Sequence, residues 1–167
     1  MSGSVAKWEG TMRLSLIAAM FVAVALPALA EELPTQPNDA VTPGVVGSTD
    51  FADVCGRVDG LTYSQRHRDT TQKMKNAAYA AYGINKAGRD FEVDHRVPLC
   101  AGGADDSKNL WPQRGWIHPS FHDKDRLEAF VCRAVCRTRT MTLEQGQAIF
   151  LGDWIAGFEQ VFGQPPE

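Results

Sequence analysis

The chain has 167 residues, 44% of them hydrophobic, and a formal net charge of −3 at pH 7. This length allows a single domain with a modest core, and the negative charge taken alone argues against a nucleic-acid partner. The distribution of charge points the other way. All 15 basic residues beyond position 30 fall between Arg57 and Arg139, where 10 acidic residues lie, for a local net charge of +5. A basic centre with acidic ends suits a polyanion-binding face, and simple scatter is the alternative.

Residues 1–30 have the pattern of a secretory signal peptide. A basic segment precedes the 13-residue apolar run 14–26, and Ala28 and Ala30 occupy small-residue positions of the kind that precede a cleavage site. The run is too short for a membrane-spanning helix. We therefore expect a periplasmic or secreted mature protein without stable membrane association, with an uncleaved anchor as the alternative.

The next segments read in chain order as linker, helix and two strands. Residues 31–50 are polar, carry three prolines and show no apolar period, which predicts a disordered linker. The spacing of apolar residues predicts a helix over 70–83. The alternation in 91–97 predicts a strand that ends at Pro98, followed by a loop and a short second strand in the sequence LWPQ.

Two further helices are predicted in the remainder of the chain. Ser120 is placed to cap a helix that runs to about Arg137, with Asp123 in its first turn. Thr142 and Gln145 form a capping-box pattern for a last helix. Its buried face is predicted to contain Phe150, Trp154 and Phe158.

The four cysteines, Cys55, Cys100, Cys132 and Cys136, are expected to form two disulfides after export. No C-x-x-C sequence occurs, which disfavours a zinc knuckle or a thioredoxin-like site. Cys132 and Cys136 are four residues apart on a predicted helix and face the same way. They are therefore expected to pair with Cys100 and Cys55 rather than with each other, and which pairs with which stays open.

Three strings, VDHRVPLCAGGADDSKNLWPQ, HDKDRLEAFVCRAVC and LEQGQAIFLGDW, together resemble the HNH endonucleases of the ββα-metal superfamily. The similarity is greatest to a bacterial branch with DH-x-x-PL-x-x-GG, NLWPQ and KD-x-L-E, and it covers about residues 60–155. It implies an α+β fold in which residues 51–167 form an HNH nuclease domain. The ββα-metal core would be a short two-stranded hairpin and a helix, with additional flanking helices.

The resemblance gives His95 the role of general base, a role that suits a side chain with a pKa of about 6.5. Asn109 matches the second catalytic position, where its amide or backbone carbonyl would accept the imidazole N–H and fix the tautomer. Asp94 matches a metal ligand. Because adjacent strand residues point to opposite faces, the site needs a bend, which Pro98 and the following glycine pair can supply.

The third position of the motif is open between His118 and His122, and we favour His122 as the second metal ligand because it lies at the start of the predicted helix. His118 would be a further ligand or a phosphate contact. Mg²⁺ is the expected ion, with Mn²⁺, Ni²⁺ and Zn²⁺ as alternatives. Arg96 and Arg114 are either phosphate contacts or solvated surface residues. Lys124, Asp125 and Glu128 are expected to form pairs on the helix surface and between helices.

The sequence thus predicts a metal-dependent endonuclease that hydrolyses phosphodiester bonds of DNA, or of RNA, with little sequence specificity. A catalytically inactive, disulfide-stapled nucleic-acid-binding protein of the same fold is the alternative. A structural zinc protein is disfavoured by the absence of C-x-x-C. A protein inhibitor that protects the cytosol is a further potential partner.

Overall fold

The structure, a computed structural model, describes residues 34–84 and 91–167, together with Gly3. Apart from that glycine, the predicted signal peptide lies outside the described residues. Residues 34–84 and 91–167 belong to the compact unit Glu31–Glu167. Every helix among the described residues is too short or too polar to cross a bilayer.

The described elements combine helices with a two-stranded antiparallel sheet, so the α+β prediction is confirmed. In chain order they are α1 (Phe51–Cys55), α2 (Tyr63–His67), α3 (Gln72–Ala81), β1 (Phe91–His95), 3₁₀ turns at Leu99–Ala101 and Ser107–Asn109, β2 (Leu110–Arg114), α4 (Phe121–Arg133) with a π-helical continuation Ala134–Thr138, α5 (Leu143–Leu151) and α6 (Trp154–Phe162).

The two strands pair with Phe91 opposite Arg114 and His95 opposite Leu110. Since side chains alternate along each strand, the two faces of the sheet carry different residues. One face carries Val93 and Leu110, which pack with Ala78 of α3. The other face carries Trp111, which joins the main core formed with α4, α5 and α6. The sheet is therefore covered on both faces.

Local capping chemistry sets the helix starts, as predicted. Asp123 accepts hydrogen bonds from the backbone N–H and hydroxyl of Ser120, both at 2.9 Å, at the start of α4. Thr142 and Gln145 form the reciprocal capping box of α5, in which each side chain accepts a backbone N–H from the other residue. Each of these contacts stabilises its helix by about 1 kcal/mol.

The single last helix of the sequence prediction is wrong, because the chain forms two helices there. The first helix ends at Leu151 with Gly152 as its C-cap, and the Asp153 carboxylate then accepts the backbone N–H groups of Ile155 and Ala156 as the N-cap of α6. The predicted apolar face is nonetheless buried. Phe150, Trp154 and Phe158 are all at most 2% exposed.

The predicted linker is part of the domain over residues 34–50, which corrects the prediction of disorder. Thr42 is fully buried, and its hydroxyl donates to the carbonyl of Leu110 at 3.1 Å. Val46 pairs with Gly103 in an isolated antiparallel bridge. The prediction failed because this segment is held by its backbone and by single polar contacts, which leave no apolar period in the sequence.

All four cysteines form disulfides, Cys55–Cys136 and Cys100–Cys132, which confirms that Cys132 and Cys136 pair away from each other. The structure also settles the pairing. Because no thiolate is left, zinc coordination by these cysteines is excluded. The Cys100–Cys132 bridge joins the turn after β1 directly to α4.

Candidate functional site

The centre of the candidate site is the carboxyl end of β1, where Asp94 and His95 leave the strand on opposite faces. Their side chains nevertheless meet, with His95 Nδ1 lying 3.8 Å from Asp94 Oδ1. The chain bends immediately afterwards, since Gly102 has a φ of +80° and Gly103 donates its N–H to the Pro98 carbonyl at 3.0 Å. A side chain at Gly103 would overlap the Val97 carbonyl, so glycine is required there.

The imidazole of His95 is held by Asp105, a residue that the sequence analysis missed. His95 Nε2 lies 2.9 Å from Asp105 Oδ1, and the histidine is only 4% exposed. An ionised carboxylate can only accept a hydrogen bond, so Nε2 carries the proton and Nδ1 keeps its lone pair in the neutral ring. The ring is thus oriented with its basic nitrogen towards Asp94.

Asp105 is itself fixed by the connection between α2 and α3. Its carboxylate accepts the hydroxyl of Thr70 at 2.6 Å and the backbone N–H of Asp69. Burial opposes ionisation, but these bonds and His95 together lower the pKa of Asp105 below its usual range. The neighbouring Asp106 only caps a 3₁₀ turn, by accepting the N–H of Lys108. Nothing local in the loop distinguishes the two aspartates.

Asn109 does not contact the imidazole, which corrects its predicted role of fixing the tautomer. It is fully buried, and its Oδ1 accepts the N–H groups of Val97 at 3.0 Å and Val45 at 3.2 Å. Its Nδ2 donates to the carbonyls of Val97 at 3.0 Å and Ala104 at 2.8 Å. Asn109 therefore holds the bend that carries Asp105 back to His95.

We expect Asn109→Ala to lower the free energy of unfolding by about 3 kcal/mol, because several buried backbone groups lose their partner at once. Thermal denaturation followed by circular dichroism measures the loss. Gln160→Ala, on the exposed side of α6, is the matched control and should change stability by less than about 0.5 kcal/mol. Equal melting temperatures for the two variants would contradict this role.

Lys124 of α4 forms the expected pair with Glu128, but its side chain is buried beneath Asp94 and does not lie on the helix surface. It is 1% exposed, and its Nζ donates to Asp94 Oδ2 at 2.7 Å, to the carbonyl of His95 at 2.8 Å and to Glu128. Gln113 Nε2 adds a hydrogen bond to the same Asp94 oxygen at 3.2 Å. The ammonium joins α4 to the end of β1.

The buried ammonium of Lys124 lies between the carboxylates of Asp94 and Glu128, and these two carboxylates do not ionise equally. Although burial opposes ionisation of both Asp94 and Lys124, their ion pair lowers the pKa of Asp94 and raises that of Lys124. Burial raises the pKa of Glu128 to about 8, because the nearby Lys124 opposes this shift only in part and the like charge of Asp94 adds to it. Asp94 is therefore a permanent carboxylate with one oxygen committed to Lys124.

Lys124→Met should destabilise the fold by about 3–5 kcal/mol, because it leaves Asp94 and Glu128 buried without their cation. Chemical denaturation of both proteins measures the difference. Lys73→Met, an exposed position on α3, serves as the control for removal of a lysine charge. A Lys124→Met protein as stable as this control would show that the ion pair does not hold α4 to the sheet.

Glu92 and Asp125 lie beside Asp94 and complete an acidic cluster. Ligand oxygens of Glu92, Asp94 and Asp125 all lie within 4.8 Å of one another, and in the described ranges this is the only group of three or more acidic, histidine or cysteine residues that does so. Glu92 and Asp125 are exposed and Asp94 is half-buried. Partial desolvation, and next the charge of Asp94, raise the pKa of both Glu92 and Asp125. Three clustered carboxylates are the donor chemistry that hard divalent cations require.

The two histidines predicted as metal ligands lie outside this cluster, and their assignment stays a prediction. His118 Nδ1 lies 2.6 Å from Asp123 Oδ2, and the side chain of His118 is 50% exposed. His122 is exposed at the start of α4, with its ring 4.1 Å from that of Phe121. Of the predicted site residues, the structure brings Asp94 and His95 into contact.

No protein-family model matches this sequence, and no curated protein or solved structure matches it. The chemistry of the site is therefore inferred from its residues. It combines an oriented imidazole, an ionised carboxylate and two further carboxylates at the edge of a two-stranded sheet.

Arg96 and Arg114 contact backbone carbonyls. Arg96 is 5% exposed and donates to the carbonyls of Phe150 at 3.1 Å and Thr42 at 2.8 Å, so both its predicted phosphate contact and its predicted surface position are wrong. Arg114 donates to the carbonyl of Pro119 at 3.0 Å in the loop before α4. Arg96 fixes the 34–50 segment, and Arg114 fixes the approach to the helix.

Proposed function

We propose that the protein is a metal-dependent endonuclease that hydrolyses phosphodiester bonds of DNA, with RNA as an alternative substrate, through a ββα-metal (HNH) site. The order of the elements supports this assignment. Two antiparallel strands joined by a bent loop precede α4. They carry the Asp94–His95 pair, Asn109 and the Lys124–Asp125 pair in the order of the sequence motif.

The observation that carries the proposal is the orientation of His95. Asp105 accepts a hydrogen bond from the proton-bearing Nε2 at 2.9 Å, which leaves the lone pair on Nδ1, beside Asp94. In the proposed reaction Nδ1 takes a proton from the attacking water, and the charge that develops on the ring is stabilised through Nε2 by Asp105. General-base catalysis of this kind contributes about 10²–10⁴-fold in rate.

Asp94 and the neighbouring carboxylates of Glu92 and Asp125 are the residues that fit a divalent cation, because they offer hard oxygen donors at close range. When bound, such an ion supplies positive charge for the departing 3′-oxygen, which leaves a 5′-phosphate. Lys124 holds Asp94 in its ionised form and in one orientation. Asn109 and the glycine bend keep Asp105 against His95.

We further propose that the protein acts in the periplasm or outside the cell. The two disulfides fit an oxidising compartment, in agreement with the predicted signal peptide. A nuclease kept away from the cytosol spares the chromosome of its own cell.

The test is incubation of the purified, disulfide-bonded protein with plasmid DNA and with RNA, in the presence of Mg²⁺, Mn²⁺, Ni²⁺, Zn²⁺ or a chelator. We expect nicking and linearisation of the plasmid with a metal, no reaction with the chelator, and 5′-phosphate ends on the products. Nucleic-acid binding without cleavage under every metal would overturn the proposal and support the inactive binding protein instead.

A further inference from the structure

We infer that Glu92, Asp94, Asp125 and the amide oxygen of Gln113 form an all-oxygen site for a hard divalent cation of the class of Mg²⁺, Mn²⁺ and Ca²⁺. This inference deepens the proposed function and rests on it, because the proposed hydrolysis gives the ion its role. It differs from the ligand set implied by the family resemblance, in which the imidazoles of His118 and His122 complete the site.

Two elements supply the carboxylates. Glu92 and Asp94 are two residues apart on β1 and therefore leave the sheet on the same face. Asp125 approaches that face from the second turn of α4. The spread of their ligand oxygens, within 4.8 Å, suits a single ion. Oxygens on opposite sides of one ion lie about 4.2 Å apart for Mg²⁺ and about 4.8 Å apart for Ca²⁺.

Gln113 provides the independent observation. It is 2% exposed and lies directly opposite Glu92 in the strand pairing, so its side chain is on the same face. Its Nε2 donates to Asp94 Oδ2 at 3.2 Å, whereas its Oε1 is buried without a hydrogen-bond partner. The reverse orientation of the amide would place two acceptor oxygens against each other, so the oxygen is the free atom.

A buried amide oxygen without a partner is destabilising, because it has given up its hydrogen bonds to water. A cation at the cluster removes this cost, since amide oxygens are common ligands of hard ions. The same ion would neutralise the carboxylates of Glu92 and Asp125, which the buried Lys124 leaves without a hydrogen bond from its ammonium. One ion thus satisfies both the amide and the charge of the cluster.

The imidazoles have other environments. His118 is engaged by Asp123 at 2.6 Å, and Asp123 also caps α4 through Ser120. His122 is exposed and acts electrostatically on Asp125, but it is not among the three residues whose ligand atoms all lie within 4.8 Å of one another. A site without nitrogen or sulfur ligands lacks the additional affinity that imidazole gives to the later transition ions, and carboxylate and carbonyl oxygens suit Mg²⁺ and Mn²⁺. The inferred order of use is therefore Mg²⁺ or Mn²⁺ before Ni²⁺ or Zn²⁺.

The test measures binding of Mn²⁺ to the purified, disulfide-bonded protein by electron paramagnetic resonance of the free ion. We expect Asp125→Asn and Glu92→Gln each to weaken Mn²⁺ binding by on the order of 10–100-fold, and Gln113→Leu by about 10-fold. Glu159→Gln on the exposed face of α6 is the matched control. Melting temperatures measured alongside separate lost ligands from lost folding.

His118→Ala and His122→Ala should leave the Mn²⁺ affinity within about two-fold of the unsubstituted protein. The inference would be overturned in favour of histidine ligands if either histidine variant weakened Mn²⁺ binding while Asp125→Asn left it unchanged. The absence of Mn²⁺ binding by the folded protein would also overturn it. Cleavage assays on the same samples keep the two proposals apart. If the protein cleaves no nucleic acid but binds Mn²⁺ in a manner that depends on Asp125, the proposed function is wrong and the inferred metal site is supported.

Discussion

Replacement of His95 by asparagine is expected to abolish phosphodiester cleavage, with a loss of rate on the order of 10²–10⁴-fold. The substitution removes the ring nitrogen beside Asp94 that would act as the base, and its shorter amide fills part of the imidazole space without reaching Asp105. Asparagine is preferred to alanine because the histidine is only 4% exposed, and truncation would open a cavity next to the β1 bend. Initial rates of plasmid nicking at saturating metal provide the measurement.

The control is His67→Asn, at the exposed end of α2, where the ring rests on Tyr63 with centroids 4.2 Å apart. That variant should cleave at the rate of the unsubstituted protein. Binding of DNA by both variants, measured by fluorescence anisotropy, should be equal. A folded His95→Asn protein with full activity would remove the imidazole from the mechanism.

Reduction of the two disulfides is expected to unfold the protein at ordinary temperature. The bridges close long loops, with sequence separations of 81 residues for Cys55–Cys136 and 32 residues for Cys100–Cys132. Loops of these lengths contribute about 3–4.5 kcal/mol each in the chain-entropy account. Their sum is comparable with the entire stability of a typical domain, about 5–15 kcal/mol. Thermal melts with and without reductant measure the effect.

Serine replacement of each cysteine pair separates the two contributions. Both double variants should melt at lower temperature, but only loss of Cys100–Cys132 should also weaken Mn²⁺ binding. That bridge ties the turn after β1 to α4, which carries Lys124 and Asp125. Equal Mn²⁺ affinity in the two double variants would contradict this account, and free thiols in protein purified without reductant would contradict the disulfides themselves.

Local chemistry made much of the fold predictable. The alternation in β1, the Ser120–Asp123 start of α4 and the Thr142–Gln145 box depend on residues within a few positions of one another, and all three are confirmed. The direction of Cys132 and Cys136 followed in the same way from helical spacing.

The features that could not be predicted depend on distant partners. Lys124 looks like a surface residue in any helical pattern, and it is buried only because Asp94 lies 30 positions away in sequence and 2.7 Å away in space. Asp105 and Asp106 are indistinguishable until Thr70 and the imidazole select one of them. The 34–50 segment is ordered by contacts to loops that follow it much later in the chain.

The contacts of the 34–50 segment with much later parts of the chain determine when the protein can finish folding. The carbonyl of Thr35 accepts the indole N–H of Trp154 at 2.9 Å, a contact that spans 119 positions. The N–H of Val45 donates to the side chain of Asn109, which is also made much later than Val45. Synthesis and export both deliver the amino-terminal partners before α6, so the early segment has no docking surface until α6 has emerged. Since Asn109 also fixes the loop that bears Asp105, the imidazole acquires its final orientation late. An unfinished chain therefore lacks the oriented imidazole on which the proposed activity depends.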